Sequence, residues 1–254
     1  VKLLALDTAT ENCSAALLVD GTLLTREEEL ARGHADRILP MIDELLVEAR
    51  TVLAELDAIA FGRGPGSFTG VRLAATVTQG LAFGAGLKVV PISDLQAVAE
   101  RAFRMDAGLA RVVVCNDARM NEVYWGCYER GADGLARLEG EEHVSKPNEV
   151  RLPANWTTAT AVGRGFIVHS QTLRAALPNV AVHSSVTMPS NVAVPPNVTV
   201  GTAVVTPSLH LLLPRAAEIA LLAVPAKRLP PEAALPVYLR DNVAHVAHPP
   251  KGPG

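Results

Sequence analysis

Leu4-Ala5-Leu6-Asp7 and Val114-Cys115-Asn116-Asp117 are the two stretches whose reading decides the fold. Each ends an apolar run on an aspartate, and in each a second run starts a few residues later. In the first copy, Lys2 to Asp7 is followed by Cys13 to Val19, an Asp20-Gly21 hairpin signal and a returning run from Thr22 to Leu30. In the second copy, Arg111 to Asp117 is followed by Val123 to Tyr128, a turn over 131–134 and Leu135 to Leu138. Between them, Ile38, Leu39, Met41, Ile42, Leu45, Leu46 and Ala49 recur at helical spacing and predict a helix over 36–50, with Pro40 in its first turn. A strand over 56–61, a helix over 71–84, a strand over 88–92 and a helix over 93–103 complete the copy. The order strand–strand–strand–helix–strand–helix, read twice, predicts a duplicated α/β chain. One lobe covers 1–106 and the other 107–254, with the boundary near 104–110 and a last helix over 215–224.

Hydrophobic residues make up 49% of the 254 residues and charged residues 19%, ample for a buried core. Lys plus Arg is 23 against 26 for Asp plus Glu, a net charge of −3, so the chain lacks the broad cationic field that grips nucleic acid unaided. Cys13, Cys115 and Cys127 sit in apolar runs, and their odd number and spacing speak against a disulfide framework or a Cys-type zinc site. A reducing, cytoplasmic setting is expected. Val1 to Leu6 is too short for a signal-peptide core or a membrane span. From Ala175 to Pro214 there is no Asp, Glu, Lys or Arg, and prolines at 178, 189, 195, 196, 207 and 214 exclude a membrane helix. Val198 to Val205 reads either as short edge strands or as part of a long loop.

The densest local signal is Gly62-Arg63-Gly64-Pro65-Gly66-Ser67-Phe68-Thr69-Gly70, between a strand and a helix. It is neither a Walker A loop nor a dinucleotide fingerprint. Gly64, Gly66, Ser67 and Gly70 suit a phosphate or partner contact at a helix N-terminus, or equally a tight turn that lets elements approach. Asp7, Thr8 and Thr10 can present a carboxylate and hydroxyls to a nucleotide phosphate or its metal, or can cap their own turn. Asp117-Ala118-Arg119 is the matching point of the second copy. Ser67 is in no nucleophile elbow, the cysteines read as core, and the histidines lack ligand spacing, so neither a catalytic residue nor a metal site is assigned. Two helices carry surplus apolar or small surface. Ile38, Leu39, Met41, Ile42, Leu45 and Leu46 exceed a single stripe, and Leu73, Ala74, Val77, Gly80 and Leu81 offer close approach; they read either as a partner contact or as cover for their own sheet.

Leu4 to Thr10, Gly62 to Arg72, Asp117 to Trp125 and Pro236-Val237-Tyr238-Leu239-Arg240 together closely resemble the bacterial TsaB (YeaZ) family. The resemblance runs from residue 1 to about 170 and resumes near 207; about 180–206 reads as an insertion or diverged stretch. It implies an actin/Hsp70-like (ASKHA) fold of two related lobes, with a C-terminal segment packed back on the first. It also implies a non-catalytic subunit that helps install threonylcarbamoyl on the adenosine beside the anticodon of tRNAs reading codons that begin with A. The implied partners are the catalytic paralogue TsaD, the ATPase TsaE, TsaC as supplier of the activated group, and tRNA through the complex. The two surplus helices are the family's contact with the catalytic subunit, or with a second copy in a self-dimer. No tightly bound cofactor is expected, with ATP or ADP held where subunits meet. The paralogue holds its metal with two histidines four apart, and the matching positions here are Asp94 and Val98. Val98 cannot ligate a metal, and one carboxylate is a poor site. On this reading Leu45→Asp abolishes complex formation and leaves the lobe folded. The competing class is an enzyme acting alone, a sugar-kinase-like phosphotransferase or a glycoprotease-like metallopeptidase.

Overall fold

The computed structural model describes residues 1–181 and 209–240. The diverged stretch about 180–206, the Val198–Val205 reading and the tail after Asn242 lie essentially outside the described residues.

β1 (Lys2–Asp7), β2 (Asn12–Val19) and β3 (Thr22–Glu29) form an antiparallel meander, and β4 (Ala58–Gly62) and β5 (Lys88–Ile92) add in parallel on the other side of β1. The sheet order is β3-β2-β1-β4-β5. The second sheet repeats it: β6 (Arg111–Asp117), β7 (Val123–Arg130), β8 (Ala136–Ser145), β9 (Ala159–Val162) and β10 (Val180–Ala181) lie in the order β8-β7-β6-β9-β10, again with the first three antiparallel and the last two parallel. This is the duplicated two-lobed α/β architecture that the paired aspartate runs predict.

β1 is apolar from Leu3 to Leu6 because both its faces are covered. Leu4 and Leu6 join the core under α1 (His34–Glu48) and α2 (Phe68–Ala85), while Leu3 and Ala5 join the core under α6 (Ala216–Ala223). α3 (Asp94–Met105) covers β6 through Val112 and Val114, and also meets α6, so these two helices form the layer between the sheets. α4 (Gly165–Val168) and α5 (Ser170–Ala176) close the far face of the second sheet over Val113 and Cys115. By packing, α6 belongs to the first sheet although it follows the second in the chain.

Three expectations need correction. Pro40 lies inside α1, because Gly33 at φ 95° turns the chain and starts the helix at His34. The lost N–H bond and ring clash of an interior proline are offset by burial of Ile38, Met41, Ile42 and Leu45 on the sheet. The second copy also lacks the helix between its third and fourth strands. Pro147 and Pro153 interrupt that short connection, and only a 3-10 turn, Pro147–Glu149, forms there. β8, moreover, runs ten residues, well past Leu138.

Candidate functional site

Each lobe's fourth strand leads into a Gly-Arg-Gly sequence, Gly62-Arg63-Gly64 after β4 and Gly163-Arg164-Gly165 after β9. Each arginine crosses to the other lobe. Arg63 reaches Glu142 of β8 at 3.1 Å, and Arg164 pairs with Glu11 of the β1–β2 turn. Glu142 also accepts from the Tyr128 hydroxyl at 2.6 Å and from Ser93. The C-terminal segment ties the lobes a third time. Val237 N–H donates to Arg63 C=O at 2.7 Å, Arg72 Nε donates to the Tyr238 hydroxyl at 2.7 Å, and Arg240 donates to Ala118 C=O at 3.2 Å and to Glu122.

Between the lobes lies a cleft of about 740 Å³, a size that suits a small ligand. Thr10, Gly66 and Ser67 line it from the first lobe, Asn116, Asp117 and Arg164 from the second, and Tyr238 from the segment that bridges them. Asp7, Thr8, Gly64 and Gly70 do not line it; Asp7 and Thr8 are buried beneath the loop, and Gly64 and Gly70 are the parts of the loop turned away from the cleft. Their polar groups are used locally. Asp7 Oδ1 accepts from Ala9 N–H at 2.9 Å, the Thr8 hydroxyl donates to Gly70 C=O at 2.7 Å, and Thr10 Oγ1 accepts from Asn12 N–H at 3.2 Å. Ser67 caps α2 by accepting from Gly70 N–H at 3.1 Å, and its own N–H donates to Ala9 C=O at 2.7 Å. A Cβ at Gly66 would stand 2.7 Å from the Ala9 carbonyl oxygen, and one at Gly70 would overlap the Thr8 carbonyl. The glycines therefore serve close packing of the loop on the β1–β2 turn. Loop and turn are thus packed directly on each other, and the open volume lies in the cleft beyond Ser67.

Asp94, at the start of α3, is buried, and one of its carboxylate oxygens accepts from Gly64 N–H. Val98, one turn further on, is sealed in the core with Leu95 and Phe103. Burial pushes the Cys13 thiol up to about 11 and the Cys127 thiol to about 12, and Cys115 lies well above its ordinary value, so none is a thiolate near neutrality. Among the described residues, no group of three or more His, Cys, Asp or Glu is arranged to hold a metal ion.

The helix candidates divide. Ile38, Met41, Ile42, Leu45 and Ala74 are buried in the core beneath α1 and α2, so they present nothing to a partner. Leu46, Leu73, Val77 and Leu81 are half-buried. Leu39 and Gly80 are exposed, as are Val47 and Phe83, which helical periodicity does not pick out because neither continues the apolar stripe. Sequence reading also missed Arg164 and Glu142. The Gly-Arg-Gly recurrence signals the first; nothing local marks the second, a lone glutamate in a charged strand.

No described helix is long and apolar enough to cross a membrane. The family model for TsaD: tRNA N6-adenosine threonylcarbamoyltransferase matches residues 27–248. A curated relative from Escherichia coli (strain K12), tRNA threonylcarbamoyladenosine biosynthesis protein TsaB, is 38% identical over 249 residues, 96% of each chain. The protein of the same description from Haemophilus influenzae is 47% identical over 176 residues, 66% of this chain and 74% of its own. Among solved structures, YeaZ from Pseudomonas aeruginosa is 40% identical with a TM-score of 0.75, covering 94% of this chain and 99% of that one. Likeness of this extent, carried by sequence and by backbone alike, places the chain in the TsaB (YeaZ) family.

Proposed function

We propose that this chain is a non-catalytic assembly subunit in the formation of threonylcarbamoyladenosine in tRNA, working as partner of a TsaD-type catalytic paralogue in the cytoplasm. The observation that carries this reading is the 38% identity to the Escherichia coli TsaB over an alignment that covers 96% of both chains. The two positions that would match the paralogue's metal ligands support it. Asp94 is engaged with Gly64 and Val98 is core, so both are spent on holding this fold.

The paralogue docks on the outward faces of α1 and α2. Leu39, Val47 and Phe83 are 46%, 78% and 55% exposed, and a Cβ at Gly80 or Gly84 would meet nothing within 4 Å. Interior glycines cost a helix roughly 1 kcal/mol each against alanine. Open space beside Gly80 and Gly84 offsets none of that cost within this chain, whereas a second helix seated there would. The same face serves a self-dimer when the paralogue is missing. TsaE and tRNA join through the complex, TsaC supplies the activated group, and ATP or ADP is held only where subunits meet.

The experiment is co-purification with the TsaD-type paralogue of the same organism, followed by a tRNA modification assay with and without this chain. Modification that depends on both proteins, and that Phe83→Asp abolishes without unfolding this chain, is the expected result. Modification of tRNA by this chain alone, or tight ATP·Mg binding to it in calorimetry, overturns the reading in favour of an enzyme acting by itself.

A further inference from the structure

Asp7 ends β1 and Asp94 opens α3, and both carboxyl groups are sealed from solvent. Gly62 lies against the two of them; a Cβ there would stand 2.7 Å from Asp7 Oδ1 and would overlap Asp94 Oδ1. Of the four carboxyl oxygens, Asp7 Oδ1 takes the Ala9 N–H and Asp94 Oδ2 takes the Gly64 N–H. Asp7 Oδ2 and Asp94 Oδ1 have no donor elsewhere among the described residues, yet the two side chains lie within hydrogen-bonding reach of each other. Two ionised carboxylates have only acceptors, and in a dry site they repel.

We propose that Asp7 and Asp94 form a single buried proton-binding site, in which the proton sits on Asp94 and is donated to Asp7, fastening the start of α3 and the Gly64 loop to the end of β1. Amide donors fix the side on which the proton rests. Asp7 accepts from the Ala9 amide at 2.9 Å, and the neighbouring Thr8 amide also favours its ionised form, while Asp94 accepts from Gly64 and feels the charge of Asp7. The surrounding charges agree. His34 of α1 favours the Asp7 anion, and Glu142 of β8 opposes ionisation of Asp94. Glu142 is itself paired with Arg63 and accepts from Tyr128 of β7. Cys13 of β2, whose thiol burial and then the Asp7 charge push up, is neutral. Burial raises both carboxyl groups above their ordinary range, Asp94 the further.

In the unfolded chain both aspartates ionise near their ordinary pKa of about 4. Above that pH the folded chain holds one more proton than the unfolded one. Stability from this site is therefore greatest in acid and falls as pH rises, until the folded-state pKa of the pair is passed. The test is urea unfolding of the full chain and of Asp94→Asn from pH 5 to pH 8. The amide introduced by that substitution would keep an oxygen for the Gly64 N–H and donate an N–H to Asp7 without titrating. The ratio of unfolding constants, wild type over variant, should climb about tenfold per pH unit through the window in which the pair stays singly protonated. Asp94→Leu, which keeps neither bond, should be less stable than Asp94→Asn throughout. A ratio independent of pH, or Asp94→Leu equalling Asp94→Asn, overturns the proposal. A second readout needs no variant to fold well: the infrared spectrum of the wild type at pH 6 should show the carbonyl band of a buried protonated carboxylic acid, and its absence overturns the proposal outright.

Discussion

Asp7 and Asp117 occupy the same place in the two lobes, the last residue of the first strand of matching five-stranded sheets, and they meet opposite fates. Asp7 is buried beneath the 62–70 loop and faces Asp94. Asp117 lines the open cleft, accepts from Arg119 N–H at 3.1 Å and lies 3.4 Å from His169. The strand ends are alike, so the difference comes from the segment that succeeds the fourth strand. In the first lobe a long glycine-dense loop and the 18-residue α2 clamp down on the β1–β2 turn. In the second, Gly163-Arg164-Gly165 leads at once into the four-residue α4, and the β6–β7 turn is met instead by Arg240 of the C-terminal segment, which leaves Asp117 lining the cleft. A duplicated fold thus keeps its sheets and diverges at its covers, where one lobe has become sealed scaffold and the other has kept an accessible polar floor.

That contrast breaks most readily at the loop. Gly70→Val places side-chain atoms on the Thr8 carbonyl. It should cost at least about 3 kcal/mol in thermal unfolding, through overpacking and loss of the loop's seat. Val168→Ala, on the exposed end of α4, should change stability by no more than about 0.5 kcal/mol. If the two behave alike, the loop is no clamp.

α1, which has no counterpart in the second lobe, sharpens the comparison next. Leu45→Asp puts a charge into the core and should cost several kcal/mol, about 3 or more, so it reports on folding and cannot report on docking. Val47→Asp, on the outward face, should stay within about 0.5 kcal/mol in urea unfolding while weakening assembly.

The two cross-lobe arginines differ for the same reason as the two aspartates. Glu142 is 5% exposed and Glu11 is 41% exposed. Arg63→Ala strands Glu142 without its cation; Ser93 and Tyr128 still donate to it, which holds the expected loss to about 2 kcal/mol. Arg164→Ala should cost about 0.5 kcal/mol, as for an exposed pair. Double-mutant cycles with Glu142→Gln and Glu11→Gln measure both couplings. Gly84→Ala runs the other way and should stabilise the isolated chain by about 0.5–1 kcal/mol because the new methyl meets open space. The same change should weaken binding of the paralogue if that space is where the partner sits.

Periodicity and punctuation wrote most of the fold into the sequence. Alternating and continuous apolar runs placed the strands of the first lobe, and the Asp-terminated repeat announced the second; the caps of α2 and α3 at Ser67 and Ser93 emerged only in the structure. The missing helix of the second copy was legible as well, in Pro147 and Pro153, had the repeat not been trusted over the residues. What no local pattern could settle is which groups face one another across the chain. An apolar stripe on α1 reads the same whether it covers its own sheet or a partner, and a glycine loop reads the same whether it cradles an anion or packs on a turn. Burial and hydrogen bonding are assigned by the complete packing, between residues as distant as Asp7 and Asp94 or Arg63 and Glu142. Local sequence determined the strands, the helices and the kinship of the lobes, since these depend on side-chain spacing along one segment. Tertiary structure alone decided that the first lobe's acid and glycines are interior and the second lobe's aspartate open, because solvent access belongs to the packed molecule and to no single stretch of it.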